Sequence, residues 1–394
     1  MKIIELFIED FLKLNYKNTV NSLFLKYTIK DFLKLKRTKK IKLLNAHIQA
    51  AMDWLCMAQD ANSDGGVSLR YSLIKGWDAS YPETTGYIIP SFFNYATLTK
   101  KDEYIQRAVR MADWLLSIQK EDGSFNGGPI GSGYESFVFD TGQILFGLIA
   151  AHKTTDKDKY LEGAIEAGKW LVIVQDKEGM WKNNAFNSIP HTYYTRVAWA
   201  LAELGVYIKD NTYTESACRN INWALTKQQE NGWFDCAGFT GKTHSTPYTH
   251  TIAYTMEGIL ETGILINKKD YIQAIACSAN ALCEVIEKNK FCHGTYDQNW
   301  NSNVKYSCLT GNAQIAIILL RLYEIYKNEK YLKVAKFLNG FLCETQEIYK
   351  PSRIIGAIGG SYPVWGKYQR FAFPNWAAKF FIDSLLQERK LASV

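Results

Sequence analysis

The stretch MADWLLSIQKEDGSFNGG, residues 111–128, decides the fold because variants of it recur along the chain. Each variant reads as a helix that carries a tryptophan, followed by a glutamine and then by a turn that contains glycine. Clear copies span residues 50–66, 111–128, 167–181 and 220–234, and degenerate copies follow around Leu282 and before Gln346. The four tryptophans are 60, 56 and 53 residues apart, at Trp54, Trp114, Trp170 and Trp223. A recurring period of this length indicates a repeat architecture.

A second set of segments, more apolar than the first, lies between these copies. The six members begin at Thr84, Asp140, Thr195, His250, Leu309 and Pro374. A helix that is apolar nearly all round must be buried, whereas the tryptophan-bearing helices show one apolar face. Short turns join five inner helices to five outer ones, and pairing the helices at Trp54 and Trp376 closes a ring. The sequence therefore predicts an all-α protein, an (α/α)6 toroid over residues 43–394, preceded by a helical arm over residues 1–42.

The net charge of +7 belongs to that arm. Residues 1–42 contain eleven Lys or Arg against four Asp or Glu, so the other residues balance 35 against 35. A neutral body disfavours a nucleic-acid binder. The arm reads as two basic amphipathic helices, either a capping pair or a peripheral membrane contact. Eight cysteines without framework spacing, and no secretory pattern, predict free thiols and a cytoplasmic location, with membrane association left open.

Three resemblances follow from quoted motifs. The tract from Trp114, Trp-Leu-x-x-x-Gln-x-x-Asp-Gly-Ser-Phe, resembles the repeat of the squalene-cyclase and prenyltransferase β-subunit superfamily. Acidic residues at the starts of inner helices are similar to those of six-hairpin glycosidases, including unsaturated-glucuronyl hydrolases. YPETTGYIIPSFF, LTGNAQ and GGSYPVWG look like toroid proteins encoded with bacterial polysaccharide-biosynthesis enzymes. The resemblances imply the fold, whereas the chemistry has to be argued from the site.

Two carboxylates mark the mouth of the predicted ring, where the inner helices begin. Glu83 and Asp140 stand at the starts of equivalent inner helices, 57 residues apart. Glycoside hydrolysis needs such a pair, with one carboxyl protonated to assist departure and the other ionised. We predict that both are catalytic. The alternative is that each carboxylate only caps its helix.

The next inner helix starts with the motif PHTYYTR, which contains His191, Tyr193, Tyr194 and Arg196. Such a set suits proton abstraction beside a uronate carboxylate, with Arg196 neutralising the acid and His191 or Tyr194 moving the proton. The resemblance to toroidal lyases and C5-epimerases implies chemistry of this kind. The alternative is that these side chains are hydrogen-bonded or packed structural residues.

Further residues of the mouth loops are predicted to bind substrate, because aromatic faces stack on sugars and cations pair with carboxylate or phosphate. Besides Tyr193 and Arg196, they are Arg70, Trp77, His250, Trp300, Asn312, Gln314, Trp365 and Arg370.

No cofactor is expected, with a zinc site at Cys236, Cys292 and His293 as the alternative. The Cys-His-Gly step resembles the zinc ligands of lanthionine cyclases, another helical toroid. That family joins Trp directly to Cys, whereas Phe234 and Asp235 intervene here. The Asp-x-Asp-Asp acid motif of triterpene cyclases is absent from the sequence, which argues against polyene cyclisation.

These observations leave three hypotheses of function. The first is acid/base chemistry on a glycan of bacterial polysaccharide biosynthesis or modification, free or lipid-linked and uronate-containing, by hydrolysis, lyase or epimerase reaction. The second is a terpenoid-cyclase-like, prenyltransferase-like or zinc-dependent toroid. The third is a non-catalytic glycan-binding assembly factor.

Overall fold

The computed structural model describes residues 22–33, 43–349 and 352–392, and thirteen α-helices lie in those ranges. They are α1 (Ser22–Phe32), α2 (Leu44–Asp60), α3 (Pro82–Thr99), α4 (Asp102–Ile118), α5 (Val138–Thr155), α6 (Asp158–Ile173), α7 (Thr195–Ile208), α8 (Asn211–Leu225), α9 (Thr249–Leu265), α10 (Lys269–Asn289), α11 (Leu309–Tyr326), α12 (Glu329–Thr345) and α13 (Asn375–Ala392). Short strands accompany them: β1 (Arg70–Ser72), β2 (Gly76–Trp77), β3 (Ser307–Cys308), β4 (Ser361–Tyr362) and β5 (Ala372–Pro374).

The helices form a closed double ring. The odd-numbered helices from α3 to α13 contact one another in succession, and α13 contacts α3. Each of the even-numbered helices α4 to α12 packs outside the inner helix that precedes it, and α2 packs on α13. The predicted (α/α)6 toroid is therefore confirmed, including the closure of the ring by the first outer and last inner helix.

The burial of the helices explains the two layers. In α5 every residue from Val138 to Ile149 is buried, as expected of a helix surrounded by others. In α4 the buried residues recur at helical spacing, with Tyr104, Ala108, Met111 and Leu115 on one face. One face buried and one face exposed is the pattern of an outer helix.

The repeated glutamine and glycine tie neighbouring outer helices together. The side-chain amide of Gln119, after α4, donates to the carbonyl of Gly163 in α6 at 2.8 Å. Gly123 follows with φ of +86°, and a Cβ there would lie 2.3 Å from the carbonyl oxygen of Glu166. Equivalent amide bonds to the next outer helix are made by Gln59, Gln175, Gln228 and, across the closure of the ring, Gln346. The motif is thus a clamp between repeats.

The two ends of the ring differ. Short turns join inner to outer helices at one end, several of them through a residue in the left-handed region such as Lys100 or Asp156. Long loops lead from outer to inner helices at the other end. There β1 pairs with both β2 and β5, and β3 pairs with β4, so loops distant in sequence are joined. The inner helices begin at this end, which we call the mouth.

Most of the predicted arm lies outside the described residues, as does its predicted boundary at residue 42. The described part, α1, packs on the loops that precede α13. The rings of Phe24 and Phe371 are 4.9 Å apart, and the Asp31 carboxylate accepts the backbone N–H of Val364 at 2.7 Å. Among the described helices, none is both long and apolar enough to cross a membrane.

Candidate active site

A cavity of about 500 Å³ opens at the mouth, and we call it the mouth cavity. The first turns of inner helices contribute Glu83, Asp140, His250 and Trp376 to its wall, and the long loops supply much of the rest. Twelve of its lining side chains are aromatic: Tyr81, Tyr87, Tyr134, Phe137, Phe139, Phe186, Tyr193, Tyr194, Phe239, Tyr254, Tyr368 and Trp376. Glu83 and Asp140 are the carboxyl groups among its described lining residues, and no Lys or Arg is among them.

Tyr81 lies against the carboxyl pair. Its hydroxyl donates a short hydrogen bond to Glu83, and burial together with the negative charges of Asp140 and Glu83 raises the pKa of Tyr81. Glu83 is 8% exposed and Asp140 is 3% exposed. Two buried carboxyls that interact do not both ionise readily, and a negative charge on Asp140 adds to burial in raising the pKa of Glu83. The structure therefore brings the two predicted carboxyls together as an interacting pair.

The surroundings of the pair assign different roles to its members. Burial raises the pKa of Glu83 well above its usual range, and the negative charge of Asp140 raises it further. Burial also raises the pKa of Asp140, but the backbone N–H of Gly128 donates to its Oδ1 at 2.8 Å and opposes that shift. Amide donors favour the ionised form of Asp140. Near neutral pH we assign the shared proton to Glu83 and the negative charge to Asp140.

His250 is a neutral member of the same wall. Burial lowers its pKa to about 3, and its Nδ1 lies 2.6 Å from Oε1 of Gln314. An amide oxygen only accepts, so with this amide orientation Nδ1 carries the proton and Nε2 is an acceptor. Gln314 is held in turn by Glu257, at 3.5 Å. The predicted residue Gln314 thus orients His250 from behind the cavity.

The PHTYYTR motif divides between the cavity and the interior. Tyr193 and Tyr194 line the mouth cavity, and the Tyr194 hydroxyl accepts the backbone N–H of Phe186 at 2.9 Å. His191 is buried outside the lining, with Nδ1 2.9 Å from the carbonyl of Gly238 and Nε2 2.7 Å from that of Phe186. These contacts fit the structural alternative for His191.

Arg196 lies below the cavity and faces the opposite end of the ring. Its Nη1 is 2.6 Å from Oε2 of Glu257, and its Nε donates to Gln143 at 2.9 Å. It contributes to a second cavity of about 820 Å³, the far cavity, which shares Tyr87 with the mouth cavity. Because Arg196 is paired there, the structure does not place it where a substrate carboxylate in the mouth cavity could reach it.

The remaining predicted binding residues lie outside the mouth lining, although some support it. Arg70 donates to Asp78 at 2.6 Å and to Gln369, a lining residue, at 2.7 Å. Trp77 packs on Trp54, with ring centroids 5.5 Å apart. The others outside the lining are Trp300, on Trp233; Asn312, bonded to Ser307; Trp365, partly buried on the core; and Arg370, beside the ring of Phe371.

The residues of the alternative zinc site do not come together. Among the described residues, no group of three or more His, Cys, Asp or Glu is placed to hold a metal ion. Burial raises the pKa of Cys292 to about 12, which opposes the thiolate that zinc requires. His293 Nδ1 lies 2.8 Å from the carbonyl of Val304. Cys236, Cys292 and His293 are therefore not a ligand set in this structure.

Two residues of the candidate site are not among the predicted site residues. Tyr81 stands two residues before Glu83 in an extended conformation, and its hydroxyl bonds Glu83. Gly128 lies in the loop before α5, and its backbone amide holds Asp140. The signal for Tyr81 is the Tyr-Pro-Glu step itself, since proline at the first helical position fixes where the helix begins.

Comparisons with known proteins agree with this architecture. Residues 77–260, slightly less than half of the chain, match the family model of the squalene-hopene cyclase C-terminal domain. The squalene–hopene cyclase of Zymomonas mobilis subsp. mobilis is 29% identical over 180 residues, which cover 41% of this chain and 25% of the cyclase. This chain thus matches about a quarter of that relative's length.

Solved structures match over most of the chain. An unsaturated glucuronyl hydrolase specific for heparin has a TM-score of 0.70 at 14% identity, covering 89% of this chain and 98% of the hydrolase. Cellobiose 2-epimerase from Bacillus thermoamylovorans has a TM-score of 0.67 at 14% identity, covering 88% and 99%. The TM-scores, at identities this low, establish the shared fold alone. The chain resembles the toroid superfamily in sequence and in structure, as its motifs predicted.

Proposed function

We propose that this protein is a carbohydrate-active enzyme that hydrolyses a glycosidic bond with Glu83 as the acid and Asp140 as the second carboxylate. The observation that carries the proposal is the pair of buried, interacting carboxyls in an aromatic cavity, with the Tyr81 hydroxyl bonded to Glu83. Aromatic rings are suited to stacking on sugar faces. The toroids of similar structure include a glucuronyl hydrolase and a sugar epimerase, which supports a glycan as the substrate class.

We propose that the reaction retains configuration, because the two carboxyls interact closely enough for the charge of Asp140 to add to burial in raising the pKa of Glu83. Retaining glycosidases place their carboxyls about 5–5.5 Å apart, whereas inverting enzymes leave a wider gap for water. Asp140 would then attack the anomeric carbon while Glu83 gives its proton to the departing oxygen. Glu83 next takes a proton from water, whose oxygen displaces Asp140 and regenerates it.

Lyase or epimerase chemistry through His191 receives less support. Both nitrogens of His191 lie at hydrogen-bond distance from backbone carbonyls, and His191 lies outside the lining of the cavity. A base must reach the proton that it abstracts, directly or through one water. We place the glycan in bacterial polysaccharide biosynthesis or modification, free or lipid-linked, on the strength of the motif resemblance alone.

Turnover of a panel of oligosaccharides and bacterial polysaccharides tests the proposal. We expect Glu83→Gln and Asp140→Asn each to lower turnover by about 10²–10⁴-fold. Glu203→Gln, in the far cavity, is the matched control and should keep wild-type activity. NMR of the first-formed anomer should show retention. Full activity in both carboxyl variants would overturn the proposal, and oligosaccharide binding without turnover would favour the assembly-factor hypothesis.

A second candidate is a terpenoid-cyclase-like reaction. The match to the squalene-hopene cyclase domain and the aromatic lining favour it, since π faces stabilise cations and a buried acid can protonate an alkene. Incubation with squalene and shorter neutral polyprenes, with products followed by gas chromatography, separates the two candidates. Cyclised products that disappear in Glu83→Gln protein would favour this reaction over hydrolysis.

A further inference from the structure

We infer that the mouth cavity takes an uncharged group and discriminates against carboxylates and phosphates at its reacting end. The inference deepens the proposed function, because it concerns the substrate of the same site. It also departs from the expectation of a uronate substrate, which rested on Arg196 in the PHTYYTR motif.

The charges around the cavity carry the argument. No Lys or Arg is among the described lining residues, whereas Glu83 and Asp140 both belong to the lining. An anionic ligand would lose water beside a negative charge without gaining a partner, and an unpaired buried charge is costly. A neutral sugar ring meets only aromatic faces and hydrogen-bonding groups.

The cations near the cavity are already engaged. The charge of Arg196 opposes the burial that raises the pKa of Glu83. The Arg196 guanidinium, however, is 2.6 Å from Glu257 and lies within 5.8 Å of five aromatic ring centres. Rings that line the mouth cavity, Tyr87 and Tyr254, are among those five. Arg70 is held by Asp78 and Gln369. Neither arginine faces the ligand as a free counter-ion.

The helix N-termini at the mouth do not reverse this balance near the carboxyl pair. Helix N-termini attract anions through their free amides. At α5, however, the carboxylate of Asp140 takes the Gly128 amide and is stabilised by its own backbone N–H. The chain's own anion therefore occupies the position that a ligand anion would use.

Matched glycosides that differ only at C6 test the inference. The probes are the p-nitrophenyl glucosides and glucuronides, and the corresponding galactosides and galacturonides, in both anomers. Dissociation constants are measured by titration calorimetry on the full chain at neutral pH. We expect the neutral member of a pair to bind on the order of 100-fold more tightly, from one unit charge about 5 Å away at an effective dielectric constant near 20.

Two variants separate charge from shape. Glu83→Gln/Asp140→Asn should reduce the preference to under about 10-fold, because the repelling charge is gone. Tyr134→Lys places a cation at the exposed edge of the cavity and should improve glucuronide binding, whereas Tyr134→Met should not. Glucuronides that bind wild-type protein as tightly as glucosides would overturn the inference. Turnover that survives both carboxyl substitutions, while wild-type protein prefers neutral glycosides and the double variant loses that preference, would contradict only the proposed function.

A different observation carries a second inference, on α1: we propose that its outer face docks on an anionic membrane surface. Leu25, Ile29 and Phe32 are 41%, 45% and 54% exposed and recur at helical spacing. The opposite face, with Phe24, Tyr27 and Asp31, is buried against the toroid. The helix is therefore anchored on one side and apolar on the other.

Charge complementarity selects anionic lipid as the occupant. Residues 1–42 carry eleven Lys or Arg against four acids, whereas the rest of the chain is neutral. A segment that is basic in sequence and presents an exposed apolar stripe is attracted by anionic headgroups and inserts apolar side chains at the interface. Flotation with phosphatidylcholine vesicles containing 30% phosphatidylglycerol, against pure phosphatidylcholine, measures this binding.

Surface variants test whether the exposed apolar face of α1 is responsible for vesicle binding. We expect wild-type protein to float with anionic vesicles, and Leu25→Glu/Ile29→Glu/Phe32→Glu protein to lose at least 10-fold of that binding. Ile173→Glu/Val206→Glu, which changes exposed apolar residues elsewhere on the ring, is the matched control and should float normally. Equal flotation of the triple variant would overturn the proposal. It would also be overturned if light scattering showed a wild-type dimer that the triple substitution converts to monomer.

Discussion

The backbone N–H of Gly128 lies 2.8 Å from Oδ1 of Asp140, so the glycine-rich loop after α4 holds a carboxylate on the first turn of α5. Gly128 adopts φ of +75°, and a Cβ there would come within 2.8 Å of the Tyr134 ring. Glycine is therefore required where the loop delivers its amide. The asymmetry between Asp140 and Glu83 originates in this contact, since among the described residues no backbone donor supports Glu83 in the same way.

Tyr81→Phe should shift the pH dependence of turnover upward. The Tyr81 hydroxyl, which bonds Glu83, lowers the pKa of both Glu83 and Asp140, and phenylalanine removes that hydroxyl. The rising limb of kcat/KM against pH reports ionisation of Asp140, and the falling limb reports loss of the Glu83 proton. Burial places both limbs above the usual carboxyl range of about 4 to 4.5. We expect both limbs to move higher in the variant and kcat/KM at pH 7 to fall about 10–100-fold.

Stopped assays over pH 4–10 make this measurement. Tyr326→Phe, on an exposed tyrosine of α11, is the control and should reproduce the wild-type profile. A Tyr81→Phe profile that superimposes on wild type would show that the hydroxyl does not tune the pair.

Glu83→Gln and Asp140→Asn should stabilise the fold at alkaline pH. Both carboxyls have folded-state pKa values above their unfolded values, so the folded chain binds more protons between those values. The free energy of unfolding then falls as pH rises through that interval. An amide does not ionise and avoids this loss. Relative to wild type, we expect Tm of either variant to gain about 1–3 °C between pH 5 and pH 8.

Thermal unfolding across that pH range checks the sign, with Glu178→Gln on an exposed loop as the control. A gain that is the same at pH 5 and pH 8 would contradict the ionisation argument and point to packing instead.

His250→Gln should weaken binding and leave both pH limbs in place. His250 stays neutral far below neutral pH, because burial lowers its pKa to about 3, so its titration does not enter the profile. Its Nε2 serves as an acceptor while Gln314 holds Nδ1. We expect binding to lose about 1 kcal/mol, so that KM rises roughly 5–10-fold. Steady-state kinetics over pH 5–9 would contradict this role if a limb moved with the substitution.

The sequence predicted the ring well because the repeat carries its own contacts. The glutamine clamp and the following glycine recur with the period of the outer helices, so their spacing encodes which helices are neighbours. The pairing of α2 with α13 followed by elimination. The bond from Gln346, directly after α12, to the His47 carbonyl of α2 closes the outer layer in the same way.

The site was predictable only as far as its helix register. Glu83 and Asp140 occupy the second and third residues of their helices and converge, whereas Arg196 is the second residue of α7 and points to the far cavity. Successive residues of a helix differ by about 100° in direction, so the start of a helix must be known to within one residue. The turn at Thr192–Tyr194 moves the start of α7 and turns Arg196 away from the mouth.

Gln346→Leu should destabilise the closure of the ring. The Gln346 amide donates to the carbonyls of His47 and Gly356, and its oxygen lies 2.6 Å from Nδ1 of His47. Leucine leaves these buried groups without that partner, at about 1–3 kcal/mol each for unsatisfied polar groups. We expect a total loss of about 2–4 kcal/mol by urea unfolding. Gln106→Leu, on the exposed face of α4, should change stability by less than about 0.5 kcal/mol.

Arg196→Met should be far more damaging than the loss of a surface ion pair. Arg196 and Glu257 are 1% and 4% exposed, so methionine leaves a buried carboxylate without its cation, at about 3–5 kcal/mol. The double variant Arg196→Met/Glu257→Met removes both charges and should recover at least half of that loss. Lys159→Met breaks an exposed pair with Asp113 and should cost at most about 1 kcal/mol. If the double variant were no more stable than Arg196→Met alone, the packing around Arg196 would depend on the shape of the arginine rather than on its charge.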